Sequence, residues 1–308
     1  MEREASLFSG VEKLDARQVY AMWGDLYCLR PGSRQRAWTP ATTLRELYQR
    51  DVAPHFGPNG RLVTLLIPAY NECQRVARSI ELVKLFLDEF PLNIEVLYIV
   101  ERSTDGTLAI ARDAASGSRA IKVHDNQVWR GKGFAVGSGM RRAHGEVIFS
   151  NDTDLSVPLH QILPALAHLA HDKQSSVILG ERIRVSQRNC YRRVLTQAFR
   201  FVASAAIGTP ANWDTQCGFK GFRADAAKRL FSEQTVDGFA FDLEVLLRAR
   251  RMGLHVASQP VPWLNDERST VNPIFEGLNT VAELARLRRE ALASTKPAVA
   301  IDGANTLA

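Results

Sequence analysis

The chain has 308 residues, of which 45% are hydrophobic and 23% are charged, as is usual for a globular protein with a full core. Its formal net charge of +6 at pH 7 favours anionic partners such as nucleotide phosphates, an acidic membrane surface or nucleic acid. The basic residues are spread along the chain, which excludes one long basic arm, and we expect no nucleic-acid partner.

The cysteine and hydropathy patterns predict a cytoplasmic protein. The four cysteines are scattered and lack the spacing of a zinc site or a disulfide framework. The N-terminus lacks the basic start and apolar core of a signal peptide, and no stretch approaches about 18 uninterrupted apolar residues. We therefore expect no transmembrane helix. A peripheral contact with the cytoplasmic face of a membrane stays open.

Residues 1–60 contain helical patches at 16–26 and 42–51 and then a link that carries proline and glycine. We predict that they form an N-terminal helical extension packed on the main domain. The last stretch, 295–308, is small and polar, and it predicts a flexible tail. The catalytic domain is expected to span residues 61–294.

From residue 61 the chain alternates apolar runs with amphipathic stretches. The strand candidates are 62–67, 94–100, 120–123, 147–150 and 177–179. The helix candidates between them include 76–89, 108–115 and 133–143. This alternation predicts an α/β fold with a mostly parallel central sheet and helices on both faces. Such sheets bind ligands beyond the carboxyl ends of their strands.

Two aspartates, Asp152 and Asp154, come directly after the apolar run 147–150. Carboxylates two positions apart in a turn can converge on one hard cation, and Mg²⁺ and Mn²⁺ prefer oxygen ligands. The alternative is a pair of solvated turn residues. The neighbouring motifs favour the metal site.

The other motifs also follow strand candidates. After 62–67 comes Pro-Ala-Tyr-Asn-Glu, in which Tyr70 offers a flat face for a nucleobase. After 94–100 comes the segment 101–107, where Asp105 could equally cap the next helix. In Trp-Arg-Gly-Lys-Gly, the glycines would let backbone N–H groups approach a phosphate, and Lys132 would add charge.

Taken in order, Pro-Ala-Tyr-Asn-Glu, Ser-Thr-Asp-Gly-Thr, Arg-Gly-Lys-Gly and Asp-x-Asp-Leu resemble the family 2 glycosyltransferases, which have the nucleotide-diphospho-sugar transferase (GT-A) fold. The segment Asp-Thr-Gln-Cys-Gly-Phe-Lys, at 214–220, looks like that of dolichyl-phosphate β-glucosyltransferases and their prokaryotic polyprenyl-phosphate relatives. The resemblance implies a metal-dependent, inverting transfer of a hexose. The expected reaction moves glucose from UDP-glucose to a polyprenyl or dolichyl phosphate.

The resemblance also implies a role for individual residues. Asp152 and Asp154 would hold Mg²⁺ or Mn²⁺ against the donor diphosphate. The donor-binding residues would be Pro68, Tyr70, Glu72, Glu101, Asp105, Lys132 and Asp152. The acceptor-binding residues would be Arg182, Arg192, Thr196, Gln216 and Asp242. The catalytic residues would be Asp152, Asp154, Arg182 and Asp242.

One departure and one choice of acceptor stay open. Many relatives carry Asp-Asp-Gly-Ser where this chain has Glu101 followed by Arg-Ser. Because this segment bears on recognition of the base, the choice between uridine and guanosine stays open, with uridine favoured. A phosphate acceptor is already an anionic nucleophile, whereas a hydroxyl acceptor would need a base, for which Asp242 and Glu244 are candidates.

Three interpretations therefore remain beside each other. The stretch 189–207 is basic early and apolar later, which fits a helix in a membrane interface beside a lipid acceptor, or a buried helix. A second interpretation is a soluble family 2 enzyme acting on a water-soluble hydroxyl acceptor, such as a natural product or small metabolite. A third is a non-catalytic module that binds a sugar nucleotide.

Overall fold

The structure is a computed structural model that describes residues 15–28, 44–184 and 214–264, together with Glu283 and Arg286. A seven-stranded sheet in the order β3-β2-β1-β4-β6-β5-β7 forms its centre. The strands are β1 (Val63–Ala69), β2 (Ile94–Val100), β3 (Ile121–Asp125), β4 (Val147–Ser150), β5 (Ser175–Arg184), β6 (Lys220–Arg223) and β7 (His255–Trp263). Only β6 is antiparallel to its neighbours, β4 and β5, so the sheet is mostly parallel, as predicted.

Helices alternate with the strands along most of the chain. They are α1 (Ala16–Cys28), α2 (Leu44–Leu47), α3 (Ala53–Phe56), α4 (Val76–Glu89), α5 (Thr107–Ala115), α6 (Lys132–Arg142), α7 (Ile162–His171), α8 (Ala224–Phe231) and α9 (Phe241–Arg251). A π-helical stretch, Tyr48–Val52, joins α2 to α3, and a 3₁₀ turn, Leu159–Gln161, precedes α7. Across the described ranges, none of these helices has the length and apolarity needed to cross a membrane.

Both faces of the sheet are buried, because the central strands are apolar at successive positions. In β1, Leu65 and Ile67 enter a core shared with α1, α4, α5 and α7. Leu66, between them, points into a second core with α6, α8 and α9. Side chains of a strand alternate between the two faces, so an uninterrupted apolar run requires a cover on each side. The predicted layering of helices on both faces is confirmed.

The bounds of two strands were predicted correctly. The runs 94–100 and 147–150 are β2 and β4, whereas β1, β3 and β5 extend beyond the apolar residues that predicted them. The sequence pattern missed β6, which has charged ends and a glycine, and β7, which contains Pro260 and Pro262. β7 tolerates these prolines because, among the described strands, it pairs with β5 alone and lies at an edge.

The described part of the N-terminal residues packs on the sheet domain. Ala16, Val19 and Trp23 of α1 belong to the same core as α4. The hydroxyl of Tyr20 donates a hydrogen bond of 2.8 Å to Oε2 of Glu89 at the end of α4. The helical patches predicted at 16–26 and 42–51 correspond to α1 and to α2 with the π-helical stretch. The predicted tail, 295–308, lies outside the described residues.

A buried histidine joins α1 to the sheet domain. His160, in the 3₁₀ turn, is 2% exposed and lies among four aromatic rings. Its ring centroid is 5.0 Å from that of Tyr20 and 5.8 Å from those of Trp23, Phe86 and Phe90. Burial lowers the pKa of His160 to about 4, so the imidazole is neutral at pH 7.

The neutral state of His160 predicts a pH-dependent stability. The unfolded chain binds a proton at the ordinary histidine pKa of 6.5, whereas the folded chain does so only near 4, so stability falls as the pH drops through this window. From pH 7 to pH 5, His160 should account for a loss of about 2 kcal/mol in the free energy of unfolding. In urea unfolding at both pH values, the wild type should lose about this much more stability between pH 7 and pH 5 than His160→Phe does.

The matched control for this measurement is His171→Phe, because the His171 side chain is 65% exposed. This variant should keep the wild-type dependence on pH. The assignment of a neutral, buried His160 is wrong if His160→Phe loses as much stability as the wild type between the two pH values.

Candidate active site

The loops that follow β1, β2 and β4 are fastened to one another at the carboxyl edge of the sheet. The N–H of Glu101 donates to the carbonyl of Ala69 at 3.0 Å. The N–H of Thr104 donates to Oδ1 of Asn71 at 2.9 Å. The hydroxyl of Thr153, between the two aspartates, donates to the carbonyl of Pro68 at 2.6 Å. The motifs predicted after separate strands therefore form one surface.

Asp152 and Asp154 are half-buried and lie beside cations. Oδ1 of Asp152 is 2.5 Å from Nζ of Lys132. Oδ1 of Asp154 accepts the N–H of Ser156 at 2.9 Å, and its Oδ2 lies 4.0 Å from Nη1 of Arg75. Burial and the charge of Asp152 raise the pKa of Asp154. Burial acts against ionisation of Asp152 too, but Lys132 holds the pKa of Asp152 below its ordinary value.

These two carboxylates suit a divalent cation. Within the ranges that the structure describes, no group of three or more His, Cys, Asp or Glu side chains is arranged to hold a metal. A site built on Asp152 and Asp154 would take its other ligands from phosphate and water, as Mg²⁺ commonly does. The repulsion between the two carboxylates would be relieved by a cation, and the ammonium group of Lys132 already lies against Asp152.

Gly218 sets the position of Asp152. A Cβ atom on this glycine would lie 2.2 Å from Oδ2 and 2.4 Å from Cγ of Asp152. Any side chain at position 218 would therefore displace the carboxylate. The carbonyl of Gly218 also accepts the hydroxyl of Ser150 at 3.1 Å, which fixes the residue against the end of β4. The segment 214–220 thus reaches the aspartate pair directly.

The two glycines around Lys132 allow close packing rather than an open phosphate cradle. A Cβ atom on Gly131, where φ is +123°, would lie 2.7 Å from the carbonyl oxygen of Asp237. A Cβ atom on Gly133 would lie 2.5 Å from that of Val236. The start of α6 is therefore pressed against the segment 236–238, and this contact directs Lys132 toward Asp152.

Two predicted donor-side carboxylates make local contacts. Glu72 forms a two-pronged ion pair with Arg75, at 2.5 and 2.7 Å. Burial, with smaller effects of Asp154 and Asp152, raises the pKa of Glu72 to about 7 despite Arg75. Asp105 accepts the N–H of Thr107 at 3.1 Å and that of Cys73 at 3.1 Å. It therefore accepts the first N–H of α5 and ties the loops after β1 and β2 together.

The remaining predicted donor-binding residues border the loop before α6. Pro68 is the penultimate residue of β1, and Tyr70 follows the strand with its ring exposed. Glu101 is buried and accepts the backbone N–H groups of Arg130 and Gly131 at 3.1 and 3.2 Å. Burial raises the pKa of Glu101 above its ordinary value, although these two N–H groups act in the opposite direction. Glu101 thus serves as an anchor for the loop that leads to Lys132.

Among the predicted acceptor-binding residues, Arg182 meets Asp214 through two hydrogen bonds of 2.6 and 2.8 Å. The guanidinium carbon also lies 5.5 Å from the ring centroid of Trp263. Burial lowers the pKa of Arg182, but the contact with Asp214 more than compensates and raises it. Gln216 is half-buried two residues from Asp214. Arg192, Thr196 and the stretch 189–207 lie outside the described residues.

The two candidate bases are both engaged. Oδ1 of Asp242 is 2.7 Å from Nζ of Lys220, and both side chains are buried. Burial raises the pKa of Asp242 above its ordinary value, although Lys220 and Lys132 act in the opposite direction. Glu244 accepts the N–H groups of Thr235 and Val236 at 2.9 and 2.8 Å.

Sequence reasoning overlooked four residues that shape this surface, namely Arg75, Trp129, Gly218 and Lys220. Trp129, Gly218 and Lys220 lie inside quoted motifs, which was the available signal. The contact of Lys220 with Asp242 depends on β6, a strand that the hydropathy pattern did not predict. The contact of Arg75 with Asp154 joins two loops that are distant in the chain.

Gly218→Ala should weaken divalent-metal binding, because the added methyl group must displace the Asp152 carboxylate. Loss of ligand positioning of this kind commonly costs on the order of 10–100-fold in metal affinity. The measurement is Mn²⁺ binding followed by electron paramagnetic resonance in the presence of UDP. Gly238→Ala is the matched control, since nothing lies within 4 Å of a Cβ atom there. Wild-type Mn²⁺ affinity in Gly218→Ala would contradict the role of Gly218.

Two curated proteins are similar to most of the chain. It is 27% identical over 247 residues to a dolichyl-phosphate beta-glucosyltransferase of Drosophila melanogaster, covering 72% of this chain and 73% of that protein. It is 28% identical over 243 residues to a dolichyl-phosphate beta-glucosyltransferase of Homo sapiens, covering 73% of this chain and 74% of that protein.

Solved GT-A glycosyltransferases share the fold. Mannosyl-3-phosphoglycerate synthase from Rubrobacter xylanophilus superimposes with a TM-score of 0.61 at 14% identity, covering 82% of this chain and 80% of that one. Glucosyl-3-phosphoglycerate synthase from Mycobacterium tuberculosis, crystallised with Mn²⁺, UDP and phosphoglyceric acid, gives a TM-score of 0.60 at 15% identity, covering 82% and 84%. The GT-A fold predicted from the motifs is confirmed.

The family model for "Glycosyl transferase family 2" matches residues 64–231, more than half of the chain. This range contains all of β1 except its first residue, the aspartate pair and the segment 214–220. The chain therefore belongs to glycosyl transferase family 2 and is a nucleotide-sugar glycosyltransferase.

Proposed function

We propose that this enzyme moves glucose from UDP-glucose to a polyprenyl phosphate, with inversion at the sugar and with Mg²⁺ or Mn²⁺ bound by Asp152 and Asp154. The observation that carries the proposal is the aspartate pair, held beside Lys132 and Arg75 at the carboxyl edge of the sheet. The names of the curated relatives support glucose and a polyprenol-type phosphate acceptor. UDP and Mn²⁺ are supported by their presence in a structure with the same fold.

The site carries both signs of charge, as this reaction requires. A bound divalent cation supplies Lewis-acid stabilisation of the departing nucleoside diphosphate. Lys132, 2.5 Å from Asp152, adds a fixed positive charge on the same side and would contact the diphosphate oxygens. Arg75 lies between Glu72 and Asp154 and offsets their negative charge. The residues of the chain thus act by orientation and charge compensation.

The contacts of the two candidate bases support a phosphate acceptor. Asp242 is ion-paired with Lys220. Glu244 accepts hydrogen bonds from backbone N–H groups and forms an ion pair of 2.9 Å with Arg248. A hydroxyl acceptor would need one of these carboxylates to take a proton. A phosphate monoester is anionic at neutral pH, so positioning and charge compensation suffice. Arg182, whose planar fork suits phosphate oxygens, is our candidate for positioning it.

A water-soluble acceptor is the second candidate. It is supported by the shared fold of a glucosyltransferase that was crystallised with phosphoglyceric acid. The two candidates differ in whether transfer requires the lipid phosphate.

The first test is hexose transfer from UDP- and GDP-sugars with Mn²⁺ or Mg²⁺, each with and without a short polyprenyl phosphate. We expect transfer from UDP-glucose only when both the lipid phosphate and the metal are present. Asp152→Asn and Asp154→Asn should each reduce the rate on the order of 100-fold or more, because the cation loses a ligand. Asp225→Asn, which removes an exposed carboxylate from α8, should leave the rate unchanged.

Each other outcome changes a defined part of the proposal. Transfer to phosphoglyceric acid or another soluble acceptor without lipid would favour the second candidate. A normal rate in either aspartate variant would remove the metal assignment. Transfer from a GDP-sugar in preference to UDP-glucose would replace the proposed donor.

The second test concerns Arg182. Arg182→Lys keeps the positive charge but loses the planar fork, so the KM for polyprenyl phosphate should rise about tenfold. The Kd for UDP should stay within about twofold, because the substitution lies on the acceptor side. Arg223→Lys is the control, since Arg223 donates to the backbone carbonyls of Leu169, Asp172 and Ser175 instead. A weaker UDP affinity with an unchanged acceptor KM would move Arg182 to the donor side.

A further inference from the structure

We propose that Tyr70 and Trp129 form the platform on which the nucleobase of the donor stacks, and that Glu101 is the positioning residue that holds Trp129 there rather than a reader of the base edge. The inference deepens the proposed function and rests on its nucleotide donor. The sequence motifs suggested Tyr70 and Glu101 as separate contacts to the donor and gave Trp129 no role.

The two rings form an exposed aromatic pair. Within the described part of the chain, the exposed large apolar side chains are Tyr70 at 41%, Val128 at 42% and Trp129 at 60%. The ring centroids of Tyr70 and Trp129 are 5.7 Å apart, and their planes are inclined by 33°. Each ring therefore supports the other while a large apolar surface stays in contact with water. A nucleobase can cover such a surface by stacking.

The pair lies beside the proposed diphosphate site. Tyr70 directly follows β1, whose Pro68 carbonyl accepts the hydroxyl of Thr153 between the two aspartates. Trp129 precedes Lys132 by three residues, and Lys132 contacts Asp152. Three residues of chain span at most about 10 Å, which is the scale of a ribose and its diphosphate. One nucleotide could thus place its base on the aromatic pair and its diphosphate near Lys132.

Glu101 fixes the segment that carries Trp129. Its Oε1 accepts the N–H of Arg130 at 3.1 Å, and both Oε1 and Oε2 lie 3.2 Å from the N–H of Gly131. The next residue, Arg102, donates its N–H to the carbonyl of Val128 at 3.0 Å. Backbone on both sides of Trp129 is therefore bound to the end of β2.

These contacts separate positioning from readout. Both oxygens of Glu101 face backbone N–H groups, and the side chain is buried, with 2% of the residue exposed. Because only 2% of Glu101 is exposed, the N3–H of uracil could reach the carboxylate only if the loop that orients Trp129 moved away. Buried acceptors that already have partners lose stability when they exchange them. Glu101 therefore acts on the base through Trp129.

A membrane surface is the alternative partner for an exposed tryptophan. The nucleobase is favoured because the ring is paired with Tyr70 and anchored by a buried carboxylate at the same sheet edge as the aspartate pair.

The test measures binding by titration calorimetry with Mn²⁺, using UDP, pyrophosphate and 3-methyl-UDP, whose uracil lacks the N3–H group. Trp129→Ala should weaken UDP about fivefold or more and leave pyrophosphate within about twofold, because only UDP has a base to stack. Trp129→Phe should retain most of the UDP affinity. Val128→Ala is the control: it removes an exposed apolar neighbour without a ring and should bind UDP normally.

Glu101→Gln should weaken UDP and 3-methyl-UDP by the same factor. Combined with Trp129→Ala, it should add little further loss, because residues that act through each other are not additive. A purely structural role would weaken pyrophosphate equally and would add fully to Trp129→Ala.

Three results would overturn the proposal. The first is normal UDP affinity in Trp129→Ala. If this variant also bound anionic vesicles less well than the wild type, the exposed tryptophan would be assigned to a membrane surface instead. The second is a Glu101→Gln variant that changes the ratio of UDP to 3-methyl-UDP affinity. The third is full additivity of the two substitutions. Wild-type protein that binds pyrophosphate but not UDP would instead contradict the proposed donor, and both proposals would fall together.

Discussion

The contact between Lys132 and Asp152 is the interaction on which the candidate site depends. It joins the start of α6, on one face of the sheet, to the turn after β4. Gly218, two residues before β6, confines the same carboxylate from the other side. The parallel half of the sheet and the half that contains the antiparallel strand therefore meet at one side chain. Removing either charge would leave the other half-buried and unpaired, which is costly.

Paired charges of opposite sign recur around this contact. Glu72 is paired with Arg75, Asp214 with Arg182, and Asp242 with Lys220. Glu72 and Arg75 lie in one turn, whereas the other two pairs join separate segments of the chain and hold them together as well as balancing charge. A surface of this kind can accept a cation and a diphosphate together. The cation would lie near carboxylates, and the diphosphate would lie near basic side chains.

The sequence predicted the parts of the fold that depend on local pattern. β2 and β4 were bounded correctly because strands buried on both faces are continuous apolar runs. β6 and β7 were missed, since glycine, charge and proline hide a strand whose partners alone define it. The motifs predicted the candidate site, but the direction of the Glu101 side chain depends on a loop conformation that no local pattern encodes. Arg192 and Thr196 stay predictions.

The prolines of β7 have a consequence for the sheet edge that this strand forms among the described strands. Pro260 and Pro262 are two residues apart, so both lack an N–H on the same side of the strand. Pairing with β5 continues in register past both prolines, which means that the missing donors face away from β5. An edge without these donors is a poor template for a strand of another molecule. The same residues that concealed β7 from pattern analysis thus protect the sheet against edge-to-edge aggregation.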